Sequence, residues 1–460
     1  MVIDPRDQQI AELNALVGQL RARIEELEAR LAQNSSNSNQ PPSSDTPAER
    51  LARSKPKGSG RPRGGQKGHK GHRRKLIPPE QVTRSKDLYP KHCGRCGRLL
   101  APVEDPEPII HQVVELPEIQ PDVSEYRRHR RTCSCGHVTC AKLPVGVPPG
   151  MCGPRLMALI GLLTGAYHLS RRQGTQLLSD VLGVRISLGA LSQCEERVSE
   201  AVAPAVEEAR SYVLEQPFKH VDATGWPLGN SLRSLWTIAT SMVTVFCITV
   251  SSNKETVRQM LGQLHGILVS DRAPQFGFWV MKQRQICWAH LLRKFVSFAQ
   301  RSGPAGEVGE RLLFFTELIF TAWHRVRDGT MSRAQFRRTM TVLRTAVEAR
   351  LEEAVRLKIH GMSGSCANIL LHREALWTFV EREDIEPTNN HAEQQLRAFV
   401  LWRNKSFGSQ SERGCLFAQR IMSVVHTLRK QDRHVFSFLV GACKASIGAG
   451  PTPSLLPLKG

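Results

Sequence analysis

Apolar residues recur in alternating steps of three and four near the start of the chain. The positions are Ile10, Leu13, Val17, Leu20, Ile24, Leu27 and Leu31. This spacing is that of a coiled-coil seam, and Ile or Val alternating with Leu favours parallel dimers. The helix is expected to extend for about 33 Å at 1.5 Å per residue. We predict that it joins copies of the chain; the alternative is an amphipathic helix on its own domain, although the flanking segment offers no core.

Apolar runs predict a sheet in the middle of the chain. Strands are predicted at 218–222, 234–240, 243–250, 266–271 and 285–288, with a helix at 254–264. The second and third strands are separated by two residues only, which indicates an antiparallel pair. Three strands, a helix, a strand, another strand and a helix from near Ala289 is the element order of the ribonuclease H-like fold. Helical spacing at 311–327 and 332–357 predicts a helical insertion after it.

Three acidic residues fall where this fold gathers carboxylates. Asp222 and Asp271 each close an apolar strand, and Glu393 lies one turn into a helix that follows Asn389, a good helix-capping residue. Carboxylates brought together from distant parts of a sequence suit Mg²⁺ or Mn²⁺ and the cutting of phosphodiesters. The alternative for Glu393 is a surface ion pair with Arg397, four residues further on.

Two helices with a glycine turn between them are predicted before the sheet. One covers residues 169–182, Gly183 breaks it, and Ser187 caps a second helix that runs from Leu188 toward Val198. This is the pattern of a helix-turn-helix. Many helical hairpins share it, and two glutamates late in the second helix oppose phosphate contact, so DNA reading and plain packing both stay open.

A polar segment and a basic block follow the first predicted helix. Residues 34–45 (NSSNSNQPPSSD) hold almost nothing apolar and predict a linker. Residues 50–75 contain 11 Lys and Arg and no Asp or Glu. Arg61 and Arg63, in an extended Arg-Pro-Arg flanked by glycine, suit an A·T minor groove, and non-specific phosphate contact is the broader prediction.

Close cysteine pairs predict a structural zinc site. Cys93 and Cys96 stand two residues apart around a glycine turn, and Cys133 and Cys135 follow about forty residues later. Four thiolates close a tetrahedral Zn²⁺ site. The second pair is spaced C-x-C, so His137 and Cys140 are substitutes for one of its members, and ordinary core cysteines are the alternative.

Composition narrows the class of partner. The 460 residues include 63 Lys and Arg against 42 Asp and Glu, a formal charge of +21 that favours a polyanion such as nucleic acid. Charged residues precede any apolar segment, and no apolar stretch reaches the roughly 18 residues of a membrane helix. An intracellular, cytoplasmic protein without membrane contact is expected, with a metal site and core thiols and no disulfides.

Five motifs together resemble the insertion sequence sixty-six family of bacterial transposases. They are HVDATGW, LVSDRAPQF, CWAHLLRKF, NNHAEQQLR and RNKSFGSQSERG, and the likeness continues upstream through the apolar seam, the polar linker, the basic arm and the cysteine pairs. The order of these motifs makes the resemblance specific. The chain departs from the family at Ala223, where the family has Glu, at Gln394, where it often has Arg, and in the shorter second cysteine pair.

The resemblance implies a DDE transposase with Asp222, Asp271 and Glu393 as catalytic triad. The expected mechanism is phosphoryl transfer with two Mg²⁺ or Mn²⁺ ions about 3.5–4 Å apart: the element end is cut, and its 3′-OH then attacks target DNA. The expected DNA contacts near the scissile phosphate are His290, Arg293, Arg397, Arg403 and Lys405, together with Trp288; a core role is equally open for His290 and Trp288.

The predicted organisation is multidomain α+β. Its parts are a coiled coil (1–33), a linker and basic arm (34–88), a zinc-binding module (89–145), a helix-turn-helix-like segment (150–215), a ribonuclease H-like catalytic core (216–300 and 381–445), its helical insertion (301–380) and a tail (446–460). Expected partners are element and target DNA, further copies of the chain and helper proteins of the element. The alternatives are a non-catalytic, zinc-containing DNA-binding protein and a ribonuclease H-like nuclease that cuts without joining.

Overall fold

The computed structural model of the chain describes residues 5–38, 45–46, 48–49 and 75–458. The chain divides into two compact units. One comprises Met1–Arg50 with Asp122–Gly460, and the other is Leu51–Pro121. The predicted basic arm with Arg61 and Arg63 lies outside the described residues. The smaller unit holds a 3₁₀ turn at Pro79–Gln81 and a turn around Cys93 closed by a bridge between His92 and Leu99.

The larger unit is mixed α/β. Its helices are α1 (Pro5–Leu31), α2 (Pro154–Gly161), α3 (Arg171–Leu182), α4 (Leu188–Glu215), α5 (Lys254–Leu261), α6 (Trp288–Ala299), α7 (Gly303–Arg327), α8 (Arg333–Arg356), α9 (Ser363–Leu371), α10 (Thr378–Glu381), α11 (Asn390–Ser406), α12 (Glu412–Lys430) and α13 (Val435–Ala445). Its strands are β1 (Arg130–Thr132), β2 (Val138–Cys140), β3 (Phe218–Leu228), β4 (Ser231–Ala239), β5 (Thr244–Thr249), β6 (Ile267–Ser270) and β7 (Arg284–Ile286).

Five strands form one sheet in the order β5-β4-β3-β6-β7. β3, β4 and β5 are antiparallel, whereas β6 and β7 run parallel to β3. The prediction that β3 stops at residue 222 is wrong, because its hairpin with β4 continues to a Gly229-Asn230 turn, where Gly229 has φ +53°. The sheet therefore changes from antiparallel to parallel at β3, its central strand.

Helix α12 covers the open edge of β5. Three of its side chains, spaced four residues apart, accept hydrogen bonds from backbone N–H groups of β5 on the side that has no neighbouring strand. The pairs are Gln419 with Ile248 (2.8 Å), Ser423 with Phe246 (2.9 Å) and Thr427 with Thr244 (3.0 Å). An uncovered edge strand invites pairing with another chain, so this stripe both anchors α12 and closes the sheet on that side.

Two hydrophobic clusters hold the larger unit together. One joins β3, β4 and β5 to α2, α4, α11, α12 and α13, and the other joins β6 and β7 to α6, α7, α8, α9 and α10. The second cluster contains the helices predicted as an insertion, so the residues between Asp271 and Glu393 build a packed helical layer of their own. Along the chain, Asp222 and Asp271 thus come before this layer and Glu393 comes after it.

The segment ahead of the sheet is helical, as predicted. Ser170 caps α3, Gly183 ends it in the left-handed conformation (φ +64°), and Ser187 caps α4. Helix α4 reaches Glu215 and not only residue 198, because its buried apolar face continues beyond Val198. Among the described residues, no helix combines the length and apolar character that a membrane crossing requires.

Helix α1 carries the predicted apolar seam on an exposed surface. Each seam residue, from Ile10 to Leu31, keeps 43–87% of its surface accessible. Directly after the helix, Asn37 donates to the side chain of Gln300 (2.7 Å), and Ser35 bonds to Asp45 (2.8 Å). The described part of the polar segment is therefore tied to the rest of the larger unit, while the seam itself has no apolar cover among the residues that the structure describes.

Candidate functional site

Strand pairing places Asp222 and Asp271 beside each other. β3 and β6 are parallel and pair as far as His220 with Val269; Asp222 lies two residues further along β3, and Asp271 comes directly after the end of β6. Each carboxylate is steadied by the backbone that follows it: Ala223 N–H donates to Asp222 Oδ1 (2.9 Å), and Ala273 N–H to Asp271 Oδ1 (3.0 Å). The two acids therefore sit on the central strand and directly after the end of its parallel neighbour.

Burial and like charge disfavour ionisation at this point of the sheet. Burial, together with the charges of Asp271 and Glu393, raises the pKa of Asp222 to about 7, although the Ala223 N–H and Arg293 act against the rise. Burial also raises the pKa of Asp271, opposed by the Ala273 N–H and by Arg284. Carboxylates that repel one another in a buried place gain most from a bound cation.

Glu393 enters from the first turn of α11 and is a third exposed. Its Oε1 lies 3.8 Å from Arg293 Nη2 and 3.6 Å from His290 Nδ1, both on α6. Burial lowers the pKa of His290 to about 4, so the imidazole is neutral at neutral pH and its contact with Glu393 is not an ion pair. The structure thus pairs Glu393 with α6, whereas Arg397 is exposed.

The start of α11 is fastened to the sheet by Asn389. This fully buried residue occupies the N-cap position, yet its side chain makes no cap bond, so the predicted capping role is wrong. Its Nδ2 donates to Val221 O (2.8 Å), and its Oδ1 contacts His220 Nδ1 (3.1 Å). Its N–H donates to Cys287 Sγ (3.1 Å). Asn389 therefore joins the helix of Glu393 to the strand of Asp222.

These donors suit divalent cations that prefer oxygen. Within the described ranges, Glu393 Oε1 is buried and has no hydrogen-bond partner, so it is free to accept an ion. The oxygens of Asp222, Asp271 and Glu393 do not all fall within 4.8 Å of one another, the spacing of ligands around one ion. Two ions about 3.5–4 Å apart spread their ligands more widely, which agrees with three separate carboxylates.

The basic residues predicted to contact DNA fall into three groups. Arg397 and Lys405 on α11 are exposed. Arg403 donates to Thr224 Oγ1 (3.1 Å) and to Gly225 O, so it ties α11 to β3. His290 and Arg293 lie beside Glu393, and Trp288 is fully buried with its Nε1 donating to Leu376 O (2.7 Å), a core role.

Each predicted zinc-binding pair occupies a tight turn in its own unit. In the smaller unit, backbone N–H groups of Cys96 and Arg95 lower the pKa of Cys93, and Gly97 adopts φ +72°. In the larger unit, Cys133 and Cys135 lie in the β1–β2 hairpin, where the N–H of Cys135 lowers the pKa of Cys133. Turns that direct N–H groups at sulfur favour the thiolate, which is the metal-binding form.

Sequence reasoning missed the parts played by Asn389 and Cys287. Both stand inside motifs that were singled out, NNHAEQQLR and CWAHLLRKF, but spacing along the chain cannot show that they meet. A buried Cys at a strand end, followed three residues later by His, was the available signal. Their meeting depends on the chain returning across the helical layer to the sheet.

The mixed sheet brings buried carboxylates together near β3, where its antiparallel part meets its parallel part. This arrangement defines a protein with a candidate divalent-cation site. Comparison with protein families matches residues 149–416 to the family described as Transposase IS66 family, and residues 2–75 to a family of unknown function (DUF6444). No curated protein matches the chain. The first match covers more than half of the chain, which therefore belongs to the IS66 family of transposases. The predicted resemblance is thereby confirmed.

Proposed function

We propose that the chain cuts the ends of its insertion element and joins the freed 3′-OH to target DNA, using Asp222, Asp271 and Glu393 as a catalytic triad. The observation that carries this proposal is their convergence. Asp222 and Asp271 lie just beyond the paired part of β3 and β6, and the charges of Asp271 and Glu393 are both close enough to raise the pKa of Asp222. Membership of a transposase family supplies the substrate class.

The core is proposed to be ribonuclease H-like. The strand order β5-β4-β3-β6-β7, with three antiparallel strands followed by two parallel ones, supports this proposal. So does the position of the first carboxylate on the central strand and of the second directly after its parallel neighbour. Helices α7 to α10 then form the insertion that separates the second acid from the third.

The three carboxylates would hold Mg²⁺ or Mn²⁺. When bound, two such ions lower the pKa of the attacking water and neutralise charge on the departing 3′ oxygen. Asp222 and Asp271 supply fixed oxygens, because each is bonded to the backbone that follows it. Arg293, beside Glu393, supplies positive charge to a phosphate that approaches the triad, and neutral His290 adds none at neutral pH.

DNA binding and self-association complete the proposal. The net charge of +21 and the exposed Arg397 and Lys405 favour a polyanion along α11. The exposed apolar seam of α1 favours pairing with a second copy of the chain, since two such helices bury what one leaves in water. Zinc at the two cysteine pairs stays a prediction made from their spacing.

The test is Mg²⁺-dependent cutting of a labelled element end, followed by analysis of joined products. We expect the full chain to nick the end and to give strand-transfer products with target DNA. Cutting without joining indicates a ribonuclease H-like nuclease. Binding without cutting, in Mg²⁺ and in Mn²⁺, indicates a non-catalytic DNA-binding protein and overturns the proposal.

A further inference from the structure

Three side chains beside the triad form a second donor set of different chemistry. A sulfur of Cys287, an imidazole nitrogen of His290 and a carboxylate oxygen of Glu393 all lie within 4.8 Å of one another. Cys287 is the N-cap of α6 and His290 lies in the first turn of that helix, so both face the same side. The bond from Asn389 N–H to Cys287 Sγ brings the start of α11 to them.

Two of these atoms lack a hydrogen-bond partner in the described part of the chain. His290 Nδ1 and Glu393 Oε1 are both buried, both without a hydrogen bond, and 3.6 Å apart. A buried polar atom without a hydrogen bond is unfavourable, so a ligand that satisfies both atoms at once is favoured. The imidazole is neutral at neutral pH, since burial holds its pKa at about 4, and a neutral imidazole is the form that binds metals.

We propose that Cys287 Sγ, His290 Nδ1 and Glu393 Oε1 bind one transition-metal ion of the Zn²⁺ type. Sulfur and nitrogen donors select Zn²⁺, Co²⁺ or a neighbouring ion over Mg²⁺, which requires oxygen. Three protein ligands leave a fourth position of the tetrahedron open to water. This site is chemically distinct from the all-oxygen triad, although the two share Glu393.

Binding must displace a proton, and nearby charge works against it. Burial raises the pKa of Cys287 to about 11, so the thiol is protonated before the ion binds. As the ion arrives, the S–H bond breaks, the S–metal bond forms and the proton is released to solvent. Backbone N–H groups of Asn389, His290 and Ala289 direct their dipoles at this sulfur and stabilise the thiolate. Arg293, 3.8 Å from Glu393, repels a cation, which leaves ions with strong sulfur affinity as the ones that bind.

A shared glutamate makes the second site inhibitory. This step rests on the proposed function: an ion held by Cys287 and His290 also binds Glu393 Oε1. That oxygen is then no longer available to bind Mg²⁺. Zn²⁺ is therefore expected to inhibit end cutting in competition with Mg²⁺. A transposase with such a site is sensitive to the supply of zinc, independently of any structural zinc at the N-terminal cysteines.

Co²⁺ binding to the full chain tests the site without reference to activity. Thiolate-to-cobalt charge transfer is followed in wild type, Cys287→Ser and His290→Gln, with Cys443→Ser as control because Cys443 is an equally buried thiol on α13. We expect each ligand variant to bind Co²⁺ at this site at least about tenfold more weakly, while the control matches wild type. Cysteines of the N-terminal region contribute equally to all four proteins and cancel in the difference.

Circular dichroism of each variant keeps the result interpretable. If Cys287→Ser does not fold, the partly exposed His290→Gln carries the test. Equal Co²⁺ spectra and stoichiometry in wild type and in the folded ligand variants overturn the site. Zn²⁺ inhibition that Mg²⁺ relieves in wild type and in Cys443→Ser supports the shared glutamate. A chain that binds Co²⁺ as expected but never cuts DNA retains the site and overturns the proposed function instead.

Discussion

The strand half and the helix half of the site are positioned by different forces. Asp222 and Asp271 owe their places to a backbone ladder, in which every hydrogen bond is made by groups that all residues except proline possess. Glu393 owes its place to side chains, chiefly the buried Asn389, which joins α11 to β3. The ladder tolerates many sequences, whereas the helix depends on single residues. Mutations should therefore separate the two halves.

The strand half should show the largest effect. Asp222→Ala removes the carboxylate on the central strand, and we expect end cutting to fall by at least about a thousandfold because the remaining acids cannot hold both ions. DNA-end binding should persist. Asp384→Ala, at an exposed loop position, is the matched control and should cut normally. An Asp222→Ala protein that nicks ends at the wild-type rate excludes the triad.

Removing the charge of Asp222 should stabilise the metal-free protein. The pKa of Asp222 is 3.8 in the reference state and about 7 when folded, so the folded state binds the proton more tightly. Stability from this proton is complete below pH 4 and is lost as pH rises through 7, a change on the order of 4 kcal/mol at most. Asp222→Asn should flatten this decline in EDTA, measured by thermal unfolding from pH 4 to 8. Parallel curves for wild type and Asn would show that Asp222 carries no such cost.

Local patterns predicted the strand half well. The apolar runs that end at Asp222 and Asp271 identified β3 and β6, and the two-residue gap between the next two runs identified β4 and β5 as an antiparallel pair. The end of β3 was missed because Gly225 and Pro227 resemble strand breakers, while a hairpin partner keeps the strand going. Period and turn residues report neighbours along the chain, which is enough for the β3–β4 and β4–β5 hairpins but not for the pairing of β3 with β6, which joins Phe218 to Ile267.

The helix half was predicted in position but not in its attachment. Glu393 was expected one turn into a helix, as observed, and Asn389 was expected to cap that helix. Its side chain bonds to Val221 O instead, 168 residues away in sequence. Nothing in the sequence distinguishes an asparagine that caps its own helix from one that binds a distant strand. The difference arises only after α7 to α10 pack and return the chain to the sheet.

Asn389 is the place to test that attachment. Asn389→Ala leaves Val221 O without its donor and frees the start of α11, so we expect end cutting to fall about 10- to 100-fold as Glu393 shifts. The lost bond should also cost about 1–3 kcal/mol of unfolding free energy. Asn390→Ala, the exposed neighbour, is the matched control.

A merely structural role for Asn389 predicts a different result. In that case the folded Asn389→Ala protein would cut as wild type does once temperature is lowered to restore stability. A positioning role predicts instead that cutting stays weak in the folded variant and that higher Mg²⁺ or Mn²⁺ concentrations restore part of it. The dependence of the rate on metal concentration therefore distinguishes the two roles.

The smallest effect should come from a helix-to-strand bond far from the triad. Ser423 on α12 accepts the N–H of Phe246 (2.9 Å) on the edge strand and also bonds within its own helix, to Gln419 O. Thr341 on α8 is exposed, and its hydroxyl donates to Arg337 O of its own helix. Ser423→Ala should cost about 1 kcal/mol of unfolding free energy and leave cutting unchanged, because it exposes one buried donor without moving a carboxylate. Thr341→Ala should cost less. Equal losses of unfolding free energy from the two substitutions, measured by denaturant unfolding, would show that α12 is held by its apolar face alone. Side-chain anchoring of helices would then matter at the site but not across the sheet.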